Sequence, residues 1–267
     1  MLDVEFAQFS DNGRVRDHNE DTLGHALPAT PEQVRTQGWL FALADGVGGH
    51  ELGEVASRTA VESLLAGFRE ATGEEAHAAL LPRLVRDANE RVYETGLAAG
   101  PRSGASMATT LVACAVRFDR AVVAHVGDSR CYLIRLGHAM LLTRDHTVAG
   151  EQERLGLISA REAAKSETRH VLSRSLGSDL FVNVETSENQ VFTGDVLLLC
   201  SDGLHGSVSA QEMAAAAGHG ADLNAAARKL AALANERDGS DNISVQLIRV
   251  RGVERVGMYR GRPYRLR

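Results

Sequence analysis

The chain has 267 residues, with 35 aspartates and glutamates against 29 lysines and arginines, and three cysteines. Its 44% apolar and 24% charged residues are typical of a globular protein and exclude an intrinsically disordered one. The net charge of −6 argues against a general nucleic-acid-binding protein. No apolar run reaches the ~20 residues of a membrane-spanning helix, and the N-terminus has no signal-peptide pattern. We therefore expect a cytoplasmic protein with reduced cysteines.

Short apolar runs predict β-strands along most of the chain. Residues 109–143 are predicted to form consecutive antiparallel strands, because their connections are too short for a crossover helix. Apolar residues near a 3.6-residue period predict two helices between 52 and 100 and a helical pair over 209–237. Strands in groups and helices in pairs favour layered α+β architecture in one domain. The predicted strands are 39–44, 109–116, 121–126, 131–136, 139–143, 195–200 and 242–250.

Charge is unevenly distributed along the chain. Residues 249–267 contain seven arginines and one acid, Glu254, a balance of +6, so the remainder carries −6 − 6 = −12. We interpret 251–267 as a basic, flexible C-terminal tail. Residues 144–177 are polar and weakly periodic, which predicts a surface insertion with short helices. An acidic body of this kind needs cations if it is to bind a phosphorylated ligand.

Four aspartates stand where an apolar strand meets a turn: Asp45, Asp128, Asp202 and Asp241. Any one of them alone is most simply a turn residue, since Asp-Gly pairs are common in turns. Four carboxylates at one rim of a sandwich would repel each other unless cations lay between them. Oxygen ligands from these residues and from the carbonyl of Gly46 favour Mg²⁺ or Mn²⁺ over Zn²⁺.

The N-terminal segment supplies a candidate anchor for phosphate. Arg14 and Arg16 lie close in sequence to Glu20 and Asp21. A guanidinium group can donate two parallel hydrogen bonds to phosphate oxygens. The simpler interpretation of the segment alone is a charged surface loop.

Seven ordered motifs resemble those of metal-dependent serine/threonine protein phosphatases, the PPM or type 2C family. The amino-acid sequences of these motifs are most similar to those of bacterial members, and the resemblance extends from about residue 8 to residue 250. The motifs are GRVRDHNEDT, LFALADGVGGHELGEVAS, SMATTLVACAV, AHVGDSRCYLIR, LTRDHT, LLLCSDGL and SDNISVQLIRV.

The resemblance implies a fold and an activity. The fold is a four-layer α-β-β-α sandwich, with two antiparallel sheets and helix pairs outside, over residues 1–250. Residues 144–177 correspond to a flap beside the site. The implied reaction is hydrolysis of phosphoserine and phosphothreonine in proteins by a metal-activated water, without a covalent phosphoenzyme. The implied cofactors are two Mn²⁺ or Mg²⁺ ions and a weaker third.

The resemblance also implies ligands for the two main ions. Asp45 is similar to the carboxylate that bridges both ions, and Gly46 to the residue that contributes its carbonyl. Asp202 and Asp241 resemble ligands of the first ion. Asp21 is similar in position to the acid that serves the second ion, directly or through water.

The resemblance implies roles for three further residues and leaves the general acid open. Arg16 matches the arginine that binds the substrate phosphate, and Asp128 resembles a ligand of the third ion. Glu20 is equivalent to an acid that only some members use. Val47 stands where eukaryotic members carry a histidine proposed as general acid, which leaves the acid open between nearby His50 and water.

The resemblance further implies partners, namely phosphorylated proteins, among them a bacterial serine/threonine kinase of the eukaryotic-like type and its substrates. No nucleic acid is expected, and the oligomeric state is left open, with a monomer expected. The alternative function is a pseudophosphatase, which uses the same fold as a binding or sensing module. A chemical rival is a cysteine-dependent phosphatase, because Cys114 and Arg120 have Cys-x5-Arg spacing. That chemistry requires a phosphate-binding loop before a helix, whereas this segment joins two apolar strands.

Overall fold

The computed structural model describes residues 1–47, 51–100, 107–218, 220–254, 256–259 and 262–265. Its strands are β1 Asp3–Asp11, β2 Asp21–Ala26, β3 Trp39–Val47, β4 Ala108–Thr109, β5 Leu111–Arg117, β6 Arg120–Val126, β7 Arg130–Arg135, β8 His138–Leu141, β9 Glu185–Gln190, β10 Val196–Cys200, β11 Ile243–Gly252, β12 Val256–Tyr259 and β13 Arg262–Arg265. Its helices are α1 Pro31–Thr36, α2 Glu51–Glu70, α3 His77–Ala99, α4 Val148–Arg154, α5 Ala160–Ala163, α6 Asp202–His205, α7 Ala210–Ala216 and α8 Leu223–Arg237. A short 3-10 helix covers Glu167–His170.

Two antiparallel sheets form the centre of the molecule. One has the strand order β1-β11-β10-β7-β8, and the other has the order β2-β3-β5-β6-β9, with the short β4 paired to β3. Helices α2 and α3 pack on the second sheet, and α7 and α8 pack on the first. The result is the four-layer α-β-β-α sandwich that the family resemblance implied.

The central strand β3 is apolar over most of its length because both of its faces are buried. Successive side chains of a strand point to opposite faces. Leu40 and Ala42 pack with the core under α2 and α3, whereas Phe41 and Leu43 pack in the core between the two sheets. All four are fully buried. A strand that is covered on both faces does not alternate between apolar and polar residues. The apolar run of β3 ends at Asp45, at the rim of the sandwich.

The chain crosses between the sheets after β6, which corrects one prediction. Strand β6 pairs with β5 and β9, whereas β7 pairs with β10 and β8. Residues 109–143 are therefore two hairpins in different sheets, and the prediction of one consecutive antiparallel set is wrong at this junction. The connection Gly127–Ser129 suffices, because three extended residues span about 10 Å, the separation of packed sheets. Asp128 lies in this crossing.

Most predicted elements are present, and the strands of the two main sheet paths that were missed, β1, β2 and β9, are edge strands. The helices predicted over 52–100 and 209–237 correspond to α2, α3, α7 and α8. Strand β9 is polar and alternates between half-buried and exposed residues, so it lacks the apolar signal used for prediction. None of the described helices is long and apolar enough to cross a membrane.

The C-terminal end differs from the expectation of a segment without regular structure. Strands β12 and β13 pair as an antiparallel hairpin, with Val256 opposite Arg265 and Tyr259 opposite Arg262. The flexibility of the tail remains a prediction.

Candidate active site

Five carboxylates converge at one rim of the sandwich. Asp21 and Asp45 are direct neighbours in the register of β2 and β3. Asp128 lies in the crossing between sheets, Asp202 begins α6, and Asp241 precedes β11. Each sits at the end of an element whose apolar residues are fixed in the core. The sandwich therefore brings together aspartates that are up to 220 positions apart in sequence.

Four of the five carboxylates line a cavity of about 820 Å³. Asp21 is not in its wall but is a close electrostatic neighbour of Asp202 and Asp241. Its Oδ2 accepts a hydrogen bond of 2.8 Å from the Ser201 hydroxyl, while its buried Oδ1 has no hydrogen-bond partner. The other seven residues predicted from the sequence line the cavity: Arg16, Glu20, Asp45, Gly46, Asp128, Asp202 and Asp241.

Burial and mutual repulsion raise the pKa values of Asp21, Asp45, Asp128 and Asp202. Burial is the main reason that the pKa of Asp21 and that of Asp128 each rise to about 7. Burial raises the pKa of Asp45 well above its ordinary value, and the neighbouring Asp21, Asp202, Asp128 and Asp241 add to the effect. Burial and Asp241 likewise raise the pKa of Asp202. The folded chain thus concentrates more negative charge here than it neutralises by itself.

This donor set fits divalent cations. The carboxylates supply hard oxygen ligands, which Mg²⁺ and Mn²⁺ prefer. The unpartnered Oδ1 of Asp21 is a buried acceptor that a cation would satisfy. Bound cations would also favour the ionised forms that burial and repulsion now disfavour.

The backbone around Asp45 and Gly46 is fixed by neighbouring strands. The Asp45 N–H donates to Thr110 Oγ1 at 3.0 Å, and the Thr109 hydroxyl donates to the Asp45 carbonyl at 2.8 Å. The Gly46 N–H donates to the carbonyl of Glu20 at 3.1 Å. A Cβ at position 46 would overlap the carbonyl of Gly53, so only glycine fits. The two threonines belong to the SMATTLV motif, but their role as supports for Asp45 was not predicted.

Asn242 organises the N-terminal loop and was also missed. Its Oδ1 accepts the Glu20 N–H at 2.8 Å, and its Nδ2 donates to the carbonyl of His18 at 2.9 Å. Arg16, in the same loop, donates from Nη2 to Asp241 Oδ2 at 2.9 Å. Both side chains of this ion pair are well exposed, so Arg16 faces the open side of the cavity. The adjacency of Asn242 to Asp241 in SDNIS is the signal that could have identified it.

The insertion 144–177 forms one wall of the cavity, through residues Arg169–Leu172 and Ser175. Leu176 and Thr109 form an isolated antiparallel bridge, which fastens the end of the insertion beside Asp45. The Arg169 Nε donates to His170 Nε2 at 2.7 Å, so the His170 proton lies on Nδ1, 3.9 Å from Asp202 Oδ2. Val47 lines the cavity where some family members carry histidine, and His50 lies outside the described residues.

Cys114 and Arg120 do not form a second phosphatase site. Cys114 is fully buried in the core between the sheets, where its neighbour is Cys131. Arg120 is at the start of β6, half exposed, and is paired with Asp119 and Glu188. Residues on opposite sides of a strand pair cannot hold one phosphate group.

We expect Cys114→Ser to leave phosphatase activity within about twofold of the wild type, because the thiol is remote from the carboxylates. The native protein should also react slowly with a thiol reagent, since all three cysteines are buried. Turnover of p-nitrophenyl phosphate and labelling by a thiol-specific dye would check both statements. Loss of activity in a folded Cys114→Ser variant would support the cysteine mechanism instead.

The fold and the site together define a class: a metal-dependent hydrolase of phosphate esters built on two packed antiparallel sheets. Residues 17–244 match the family model of protein phosphatase 2C. The chain belongs to the protein phosphatase 2C family and is a metal-dependent protein serine/threonine phosphatase.

Individual relatives agree with this assignment over nearly their whole length. The serine/threonine phosphatase stp of Listeria innocua is 35% identical over 256 residues, which covers 95% of this chain and 96% of the relative. The S. agalactiae serine/threonine phosphatase superposes with a TM-score of 0.83 at 30% identity, over 92% of this chain and 99% of the other. The catalytic domain of the serine/threonine phosphatase PstP, in complex with two manganese ions, gives 0.77 at 31% identity, over 94% and 99%.

Proposed function

We propose that this chain dephosphorylates phosphoserine and phosphothreonine in proteins with two Mn²⁺ or Mg²⁺ ions, and that it counteracts a bacterial serine/threonine kinase. The convergence of five carboxylates at one rim of the sandwich carries the proposal: four of them line one open cavity, and the pKa values of Asp21, Asp45, Asp128 and Asp202 are raised. The manganese-bound phosphatase PstP supports the choice of metal. A cytoplasmic location is proposed on the three free, buried thiols.

The roles of the acids follow from their positions. Asp45 is the register neighbour of Asp21 and lies close to Asp202, so Asp45 and the Gly46 carbonyl are proposed to serve both ions, with Asp202 and Asp241 holding the first ion and Asp21 the second. Bound cations would supply Lewis acidity, which offsets the charge of the phosphate and lowers the pKa of the attacking water. The carboxylates would hold the cations at a fixed position, because the strand ends that carry these carboxylates are packed in the core.

Three further residues shape substrate binding and the cluster. Arg16 is proposed to bind two phosphate oxygens from the open side of the cavity, exchanging its contact with Asp241 for the substrate. Glu20 is proposed to support the cluster from its edge, where its side chain lies against Gly53. Asp128 is proposed as ligand of a third, weaker ion, since it faces Asp202 and Asp45.

The deciding experiment is phosphate release from a phosphothreonine peptide in Mn²⁺ and in EDTA. We expect turnover in Mn²⁺ and none in EDTA. Activity that survives EDTA would contradict the metal mechanism. Binding of Mn²⁺ without turnover of any phosphoester would favour the pseudophosphatase. The kinase role is tested with the autophosphorylated kinase domain of the same organism, from which the wild type should release phosphate.

Arg16→Ala should raise KM about tenfold or more and lower kcat less, because a charge-assisted contact with the ground-state phosphate is lost. Steady-state kinetics on the phosphothreonine peptide would measure both constants. Arg14→Ala is a suitable control, since Arg14 is a neighbouring arginine that does not line the cavity. An unchanged KM in Arg16→Ala would remove Arg16 from the phosphate site.

A further inference from the structure

Two stacked histidines lie behind Asp128, outside the carboxylate cluster. The rings of His125 and His146 have centroids 4.8 Å apart and are 11° from parallel, and both are buried. Glu185 Oε2 lies 3.2 Å from His146 Nε2. The ligand atoms of these three residues are close enough together to suggest a metal site.

The hydrogen bonds give His146 a different role. The Gly127 N–H donates to His146 Nδ1 at 3.1 Å, so Nδ1 carries a lone pair and the ring proton lies on Nε2, facing Glu185. A cation on Nε2 would have to displace this proton, leaving a ring with lone pairs on both nitrogens. The Arg174 guanidinium also lies 3.2 Å from Nε2 and would repel the cation. The pattern favours a neutral, tautomer-fixed histidine over a metal ligand.

His146 holds Gly127 from both sides. Besides the bond to Nδ1, the backbone N–H of His146 donates to the Gly127 carbonyl at 3.0 Å. Gly127 has φ of +102°, and a Cβ there would lie 2.6 Å from the Thr110 side chain. Residues around Gly127 therefore fix its backbone conformation. Asp128 is the next residue, so the direction of its side chain depends on the two hydrogen bonds between His146 and Gly127.

His146 lies near the start of the insertion 144–177, and contacts of its segment fasten both ends of the insertion. At the start, neighbouring Asp145 makes a bidentate ion pair with Arg130, at 2.9 and 2.7 Å. At the other end, the Ser173 N–H donates to the His146 carbonyl at 2.9 Å. The wall of the cavity and the crossing between the sheets thus meet at His146, through its backbone and its ring.

We propose that His146 is a positioning residue, whose neutral Nδ1 holds Gly127 and thereby orients Asp128 toward Asp45 and Asp202. The inference rests on the proposed function, since it requires Asp128 to be a ligand of the weakest cation. His146 touches neither substrate nor cation and acts through one backbone amide.

Two isosteric variants separate the two ends of the imidazole. The side-chain oxygen of asparagine can replace Nδ1, whereas the longer glutamine places its polar atoms near Nε2. We expect His146→Asn to bind Mn²⁺ like the wild type, and His146→Gln to weaken the weakest Mn²⁺ site about tenfold or more. The measurement is titration of Mn²⁺ without substrate, with free Mn²⁺ followed by its paramagnetic resonance signal.

Controls make the result specific. His77→Asn removes another buried histidine far from the site, so it should lower the melting temperature without changing the Mn²⁺ titration. Equal Mn²⁺ binding by His146→Gln and the wild type, or weakening in His146→Asn alone, would overturn the proposal. So would an Asp128→Asn variant with an unchanged titration. That last result would leave the proposed function intact as long as Asp45→Asn still abolishes turnover.

Discussion

Asp45→Asn should lose roughly 10³-fold in kcat and yet be more stable than the wild type in EDTA. The loss follows because the central carboxylate is removed, and a divalent-cation site contributes several kcal/mol to the transition state. The gain follows because burial and four neighbouring aspartates make the ionised Asp45 unfavourable in the metal-free protein. Asparagine has the same shape without the charge, and its amide N–H₂ can donate a hydrogen bond to the nearby Asp202 carboxylate.

Two measurements on the same samples check this prediction: p-nitrophenyl phosphate turnover in Mn²⁺ and thermal unfolding in EDTA. A stabilisation of 1 kcal/mol would raise the melting temperature by about 2–4 °C in a chain of this size. Asp195→Asn is the matched control, because Asp195 is a buried acid paired with Arg135 far from the cavity. That variant should be destabilised and remain active. Near-normal turnover in Asp45→Asn would refute the assignment of the site.

The sequence predicted the position of the acids better than the topology that carries them. Asp45 could be placed because an uninterrupted apolar run ends at it, whatever the strand pairs with. Asp128 was placed correctly at a strand end, although the sequence did not reveal that β6 and β7 lie in different sheets. The local pattern of apolar residue and turn is the same whether the chain folds back or crosses to the opposite sheet.

The supporting residues could not be predicted because their partners are distant in sequence. Asn242 acts on Glu20 and His18, more than 220 positions away. His146 acts on Gly127, and Thr110 on Asp45, through single hydrogen bonds. The sequence around a polar residue within or beside an apolar run does not indicate which buried backbone amide will be its hydrogen-bond partner. Only the register of the strands and the packing of the two sheets reveal it.

The stabilisation of the protein by Mn²⁺ should grow as pH rises from about 5.5 to 8. In the metal-free protein, Asp21 and Asp128 keep their protons up to a pKa of about 7, against 3.8 for the ordinary carboxyl. Between these values the folded state binds more protons than the unfolded state. The stability that these groups give is therefore complete below pH 3.8 and is lost as pH rises through 7. Cations compete with the same protons, so they bind more strongly at the higher pH.

The effect of Mn²⁺ must be compared with that of EDTA at each pH, because histidines with lowered pKa values, among them His77, His146 and His205, act in the opposite direction. Burial lowers the pKa of His77 and that of His146 to about 4, and that of His205 to about 3, so each loses stabilising effect as pH falls below 6.5. Subtracting the melting temperature in EDTA from that in Mn²⁺ at each pH cancels this contribution. The difference should be several degrees larger at pH 8 than at pH 5.5, and smaller in Asp21→Asn. A difference independent of pH would mean that the cations do not bind where these protons are held.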